Sequence, residues 1–219
     1  MRELVLIWGA GGHGKVVADL VRAAGHTVAG YADADPAKWG AVVEPGGATV
    51  VISEADLVQS LDDGASLPCR ATAVVLALGD NDTRLSSARR AGRALMPALV
   101  HPQATVSESA KLGVGTVVFA GAVVNAAATI GSAAIINSAC VVEHDCSVGD
   151  GAHIAPGAVL TGGVSVGQSV LVGARSVVLP GVTIAAHALV GAGAVVAGNV
   201  DAGMVVAGVP ARVLRQRAT

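Results

Sequence analysis

Aromatic residues are almost missing from this chain: two Trp, one Tyr and one Phe in 219 residues. Layered cores draw much of their buried area from aromatic rings, so the composition points instead to a narrow interior filled by Val, Ile and Ala. Charge is also scarce, at 14% of residues with a net of -2. Without a basic stripe, neither nucleic acid nor an anionic membrane surface is an expected partner. Three cysteines are too few, and odd in number, for a disulfide framework, so reduced thiols in a cytoplasmic protein are expected. No charged residue lies between Arg175 and Asp201, which raises the question of a membrane span. Pro180, His187, Asn199 and repeated Gly interrupt that stretch, and it keeps the six-residue register described next, so it reads as coil. The first residues run directly into a strand pattern, without the basic region, apolar run and cleavage site of a secretory signal.

What is present is a repeat. From Val100 to Val196, Val, Ile or Leu occupies every sixth position without interruption, a run expected by chance about once in 10^5 registers if half of all residues were aliphatic. Four residues after each aliphatic position stands Ala, Cys, Ser, Thr or Val, from Ala104 to Val200. A period of six fits neither helix nor flat sheet; it fits a short strand plus a turn, stacked as one face of a parallel β-helix. Three hexads close one triangular coil, and each strand bonds to its neighbour about 4.8 Å away. Gly is common one place after the aliphatic residue, as at Gly113, Gly131, Gly149, Gly167, Gly173 and Gly191, where the missing Cβ is expected to let the backbone turn each corner at positive φ. The unit resembles the left-handed β-helix of hexapeptide-repeat acyltransferases, and handedness comes from that resemblance.

Before the repeat, the chain alternates strand and helix patterns. Leu4 to Trp8 is an apolar run that stops at Gly9-Ala10-Gly11-Gly12-His13-Gly14-Lys15, after which Val16, Val17, Leu20 and Val21 recur at helical spacing. Further strands are expected at Thr27 to Ala32 and Ala73 to Leu78. Helices are expected after Ser53 and from about Thr83 to Ala94, the latter capped from Gly79-Asp80-Asn81. This implies a small Rossmann-like parallel sheet, with the domain boundary at residues 99 and 100. Residues 100–219 then form the β-helix, closed by a C-terminal cap with a basic tail, Arg212, Arg215 and Arg217.

Two places could carry chemistry. Glycines 9, 11 and 14 follow a strand and precede a helix, with Asp33 at the end of the next strand; this spacing suits a phosphate held on backbone N–H groups and, read literally, a dinucleotide whose ribose Asp33 holds. In the repeat, Glu143-His144-Asp145 gathers imidazole and carboxylate in a region otherwise made of Ala, Gly, Val and Ser. Position two of a hexad projects outward, so His144 should be exposed, with a neighbouring acid to fix its tautomer and raise its basicity, as a general base requires.

Glu143-His144-Asp145-Cys146, together with Gly12-His13-Gly14-Lys15 and Gly208-Val209-Pro210-Ala211-Arg212, resembles the NeuD/PglD/PerB family of sugar acyltransferases over essentially the whole chain. The resemblance implies acetyl-CoA as acyl donor, no metal, and a homotrimer with active sites between subunits. It implies N-acetylation of a nucleotide-linked amino sugar, at C4, with O-acetylation of a sugar or sialic acid as the alternative. His144 becomes the general base and Asp145 its support; His153 contacts the acetyl group, and the Gly162 amide receives the thioester oxygen. Asn137, Gly173, Ala174 and Ala192 fall along the coenzyme A slot, and Arg212 stands where the family commonly has Lys. Gly11, Gly12, His13, Gly14 and Lys15 fall on the diphosphate site, Asp33 on the base-recognising acid, and Asn81 with Arg84 on the following motif. Where the family often has two adjacent acids, this chain has Ala32-Asp33. Two rivals come from other classes. One is a nicotinamide-dependent oxidoreductase on a β-helix scaffold, which the short sheet disfavours. The other is a zinc hydratase like the γ-type carbonic anhydrases, which the nine-residue gap from His144 to His153 does not suit.

Overall fold

The computed structural model describes residues 2–43 and 47–217, and the chain divides after Leu99 into two compact units. In the first unit the strands β1 (Leu4–Trp8), β2 (Thr27–Asp33), β3 (Val50–Ser53) and β4 (Ala73–Leu76) form a parallel sheet in the order β3-β2-β1-β4. Helix α1 (Gly12–Ala23) buries Gly14, Val17, Ala18, Leu20 and Val21, whereas Val16 is 44% exposed. Its helical spacing from Val17 therefore does not place it on the packed face. Helix α2 (Glu54–Asp62) starts at Ser53, whose hydroxyl accepts from the Asp56 N–H at 3.0 Å, and α3 (Asn81–Ala91) is capped by the Asp80 carboxylate. β3 is absent from the sequence expectation. Its four residues are too short to show a period, although Val50-Val51-Ile52 is the β-branched run that marks it. α3 also starts two residues earlier than expected, because Asp80, not Asn81, is the cap.

The second unit is a left-handed β-helix. Seventeen two-residue strands, from Leu99–Val100 to Val195–Val196, each end on one of the six-periodic aliphatic residues. Up to Val177–Val178, each strand pairs in parallel with the one eighteen residues on, as Ile135–Ile136 does with His153–Ile154 and that pair with Leu171–Val172. The aliphatic and small positions fill the interior: Ile136, Cys140, Val142, Ile154, Ala158 and Leu160 are all fully buried. Burial pushes the Cys140 thiol up to about 12, and the Cys146 thiol donates to the Thr161 carbonyl at 3.1 Å. Among the described residues no helix is long and apolar enough to cross a membrane.

The glycines act differently from the sequence expectation. Those one place after the aliphatic residue do not have positive φ; the left-handed corner lies two places later, at Gly115, Gly121, Gly151, Gly157, Gly163, Gly181 and Gly193, and also at Asp145, Ser169 and Arg175. Gly149 is needed for close approach: a Cβ there would stand 2.6 Å from the backbone of Gly167 and Gln168 in the next coil. Since backbone cannot step aside, Gly149→Ala is expected to destabilise the β-helix by about 2–3 kcal/mol. A thermal melt checks this, and an unchanged midpoint would contradict it.

Outward residues differ on the three faces of the prism. One face carries Lys111, Thr129, Ser147, Ser165 and Thr183, all exposed except Ser165, which is half-buried. The next in its ladder order carries Val117, Ile135, His153, Leu171 and Leu189. The third presents half-buried Val123, Val141, Val159, Val177 and Val195. The chain passes from the histidine face to the valine face to the polar face in each coil.

Candidate active site

His144 and Asp145 sit on the corner between the valine and polar faces. Asp145 occupies the left-handed turn position at φ +60°, a conformation that Asp tolerates better than most side chains. From there its Oδ2 lies 2.8 Å from His144 Nδ1. A carboxylate only accepts, so Nδ1 carries the proton and Nε2 keeps its lone pair. The hydrogen bond that the imidazole donates to Asp145 is the largest influence and raises its pKa; desolvation opposes it, and the charges of Asp145 and Glu143 reinforce it. Both side chains are largely exposed in the single chain, at 63% and 68%.

One coil on, Gly162 stands beneath the ring. A Cβ at Gly162 would come within 2.7 Å of His144 Cε1 and Nε2, so the imidazole rests where only glycine leaves room. Gly162 occupies the second place of the turn Thr161–Val164, and Gly163 takes the positive φ. The neighbouring Gly163 N–H bonds the His144 carbonyl at 3.0 Å, and the Gly162 N–H has no acceptor among the described residues. The His144 ring and an amide without an acceptor among the described residues therefore lie one coil apart on the same corner.

A second set lies along the corner between the histidine and valine faces. Asn137 Nδ2 is 3.0 Å from His153 Nε2. Gly173, Ala174 and Ala192 stand further along the same corner at coil intervals, and the Ala174 and Ala192 N–H groups have no acceptor among the described residues. From Asn137 to Ala192 this column runs three coils, about 14 Å at 4.8 Å per coil. Arg212 lines a hollow of about 370 Å³ with Val196, Asn199 and Val213. The arrangement suits an extended thioester cofactor with its amides along the column. His153 lies on the face opposite the corner that carries His144, so one chain does not bring His144 to His153 or Asn137.

In the first unit the glycine loop follows β1. Gly9 has φ +114°, and a Cβ there would meet the Ala77 carbonyl at 2.7 Å; at Gly14 it would run into the Gly9 carbonyl. Gly11 and Gly12 face open space, no side chain caps α1, and Lys15 is exposed, so the helix N-terminus is open to an anion. Burial, aided by the charge of Arg84, lowers the His13 pKa to about 4; the ring is neutral at pH 7 and offers hydrogen bonding, not charge.

Three further residues of this unit make hydrogen bonds within it. Asp33 does not present a free carboxylate: Oδ2 accepts from the Ala10 N–H at 2.7 Å, Oδ1 from the Asp35 N–H at 2.9 Å, and both oxygens from Lys38. Burial opposes its ionisation, but these bonds outweigh it and hold the pKa below the usual carboxylate range. Asp33 thus ties the glycine loop to the end of β2. Arg84 is 1% exposed, with its guanidinium bonded to the Leu78 carbonyl at 3.0 Å and to Asn81 Oδ1 at 2.8 Å. Asn81 and Arg84 fix the loop after β4.

Residues 4–91 match the family described as the PglD N-terminal domain, and residues 127–162 and 163–198 each match the bacterial transferase hexapeptide of six repeats. PerB from Caulobacter crescentus, solved in complex with CoA and GDP-perosamine, is 41% identical with a TM-score of 0.85, covering 96% of each chain. Variants of the perosamine N-acetyltransferase of that organism, with one histidine replaced by Asn or Ala, were solved in complex with the same two molecules. The acetyltransferase domain of PglB from Neisseria gonorrhoeae FA1090 is 35% identical, with a TM-score of 0.85 and coverage of 97% of this chain and all of that one. WeeI from Acinetobacter baumannii AYE, at 22% identity and a TM-score of 0.64, shares the fold. No curated protein sequence matches the chain.

Proposed function

The chain belongs to the NeuD/PglD/PerB-like family of hexapeptide-repeat sugar acetyltransferases, and we propose from that membership that it transfers the acetyl group of acetyl-CoA to the amine of a nucleotide-linked amino sugar. The observation that carries the reading is the imidazole held between Asp145 and Gly162. The sugar nitrogen attacks the thioester carbonyl, and His144 Nε2 takes the proton it sheds; Asp145 stabilises the imidazolium. The carbonyl oxygen gains negative charge against the Gly162 N–H, a donor worth about 3 kcal/mol in such a position. As the tetrahedral intermediate collapses, the C–S bond breaks and the departing thiolate receives a proton from the imidazolium. Direct attack is favoured over an acyl-enzyme because Cys146 points inward, bonded to Thr161.

The working unit is a homotrimer. His144 and Gly162 lie on one corner of the prism and the Asn137–Ala192 column on another. A thioester seated on the column meets the base only when the corner of a second copy is brought against it. The valine ladder supplies an apolar face for that packing, whereas the face bearing Ser and Thr suits solvent. The diphosphate of the substrate goes to the open N-terminus of α1.

Thiol release from acetyl-CoA, measured against 4-amino sugars on GDP, UDP and dTDP with free sialic acid alongside, tests the reading. Release with one nucleotide amino sugar is expected, and release with sialic acid alone would replace it by O-acetylation. The pH profile tests the base. Activity requires neutral His144, so kcat/KM rises with pH through its raised pKa. Asp145→Asn removes the main cause of that elevation, and the acid limb moves to lower pH while the maximal rate falls. An acid limb that stays in place would exclude His144 as the group titrating.

A further inference from the structure

Four aromatic side chains are spread over the molecule, and three are buried: Trp8 at 2% exposure, Tyr31 at 0% and Phe119 at 3%. Trp39 stands apart at 48%. It is also held in place, because its indole N–H donates to the Asp33 carbonyl at 3.0 Å. Its ring lines a cleft of about 480 Å³ with Pro36, Glu54, Val58 and Arg90. Most of the residues that form it follow β2 or stand at the end of β3 and the start of α2, which is the carboxyl edge of a parallel sheet, where ligands of open α/β sheets bind. The same Asp33 ties Trp39 to the glycine loop, through its carboxylate on the Ala10 N–H. A ligand with its diphosphate on that loop has the cleft as its neighbour.

Glu54 gives the cleft its chemistry. The Trp8 indole N–H donates to Oε1 at 3.0 Å and fixes the carboxylate, and Oε2 has no partner among the described residues. Arg90, paired loosely with Asp62 at 3.6 Å, lines the same cleft from α3. A fixed acceptor and a guanidinium beside an exposed aromatic face select among nucleobases. Guanine offers two adjacent donors, N1–H and the 2-amino group, to a carboxylate, and its O6 and N7 accept from Arg. Uracil and thymine offer one N–H flanked by two carbonyl oxygens, which a carboxylate repels. Every base stacks on an indole, so Trp39 binds without choosing.

We propose that this cleft holds the base of the sugar nucleotide, with Trp39 as its stacking face, and that Glu54 makes it selective for guanine. The proposal rests on the reading of the substrate as nucleotide-linked. Calorimetric titration of the full-length protein with GDP, UDP and dTDP tests it apart from acetyl transfer. GDP is expected to bind at least tenfold more tightly than the other two. Glu54→Gln, which keeps an acceptor for the Trp8 N–H and so leaves the fold intact, should bring the three affinities within about threefold of one another. Trp39→Ala should weaken all three by about tenfold, and Trp39→Phe should restore most of the loss. Equal affinities in the wild type, or a GDP preference that survives Glu54→Gln, would overturn it. The two readings fail separately: selective GDP binding with no thiol release from any GDP-linked amino sugar sinks the transferase alone. Thiol release only with UDP- or dTDP-linked sugars sinks guanine selectivity alone.

Discussion

His144→Ala is expected to lower kcat by about 10^3-fold, within the range lost when a positioned general base is removed, while acetyl-CoA affinity stays within twofold of wild type. The rate falls because the sugar nitrogen must give up a proton as it attacks, and among the described residues no other imidazole shares that corner of the prism. Affinity holds because the residues suited to the cofactor, from Asn137 to Ala192, occupy a different corner. Stability should also hold, since the side chain is 63% exposed and surface truncations usually change stability by about 0.5 kcal/mol or less. Thiol-release kinetics, calorimetry with acetyl-CoA and a thermal melt together separate these effects. Turnover within threefold of wild type would remove His144 from the mechanism.

Gly162→Ala should come close behind, with kcat reduced about 10^2-fold by a single methyl group. The added Cβ would stand 2.7 Å from Nε2 and Cε1 of His144, and no real carbon contact is that short. Gly162 does not have positive φ, so the backbone accepts alanine without strain. The ring is exposed and turns about one bond, so the ring gives way and the coil does not. A base displaced by about 1 Å loses on the order of 10^2 in rate, and the methyl also crowds the amide that would receive the oxyanion. The accompanying signature is a fall in the His144 pKa, read by NMR titration, as the ring leaves Asp145. An inactive variant with a sharply lowered melting temperature would point to a coil defect instead. Gly149→Ala supplies that contrast, because there the obstacle is backbone.

Much of this was legible in the residues. Seventeen aliphatic positions at a spacing of six required a stacked coil, since no other regular backbone repeats in sixes. The strands end on those same residues, because each must point inward at the same place in its hexad. His144 beside Asp145 was legible for a related reason: a charged pair in a uniform Ala, Gly and Val background stands out, and its place in the hexad faces solvent. The N-terminal domain is less legible. β3 escaped because four residues carry no period. Asp33, Asn81 and Arg84 match a motif by spacing, but spacing does not say whether a side chain turns toward ligand or toward its own loop.

Glu54 and Trp39 illustrate the remaining gap. Glu54 reads in the chain as the first residue of a helix, where acids are common, and Trp39 as one more loop residue. Only the crossing of β1, β2 and α2 brings the Trp8 indole to the Glu54 carboxylate and leaves Trp39 open beside it. Periodicity is a property of consecutive residues, so the coil, its interior and its outward corners were determined by the chain alone. Which distant side chains meet depends on how sheets and helices cross. Three partnerships were therefore decided by the tertiary structure: His144 against Gly162, Asp33 on the glycine loop, and Arg84 on its own turn.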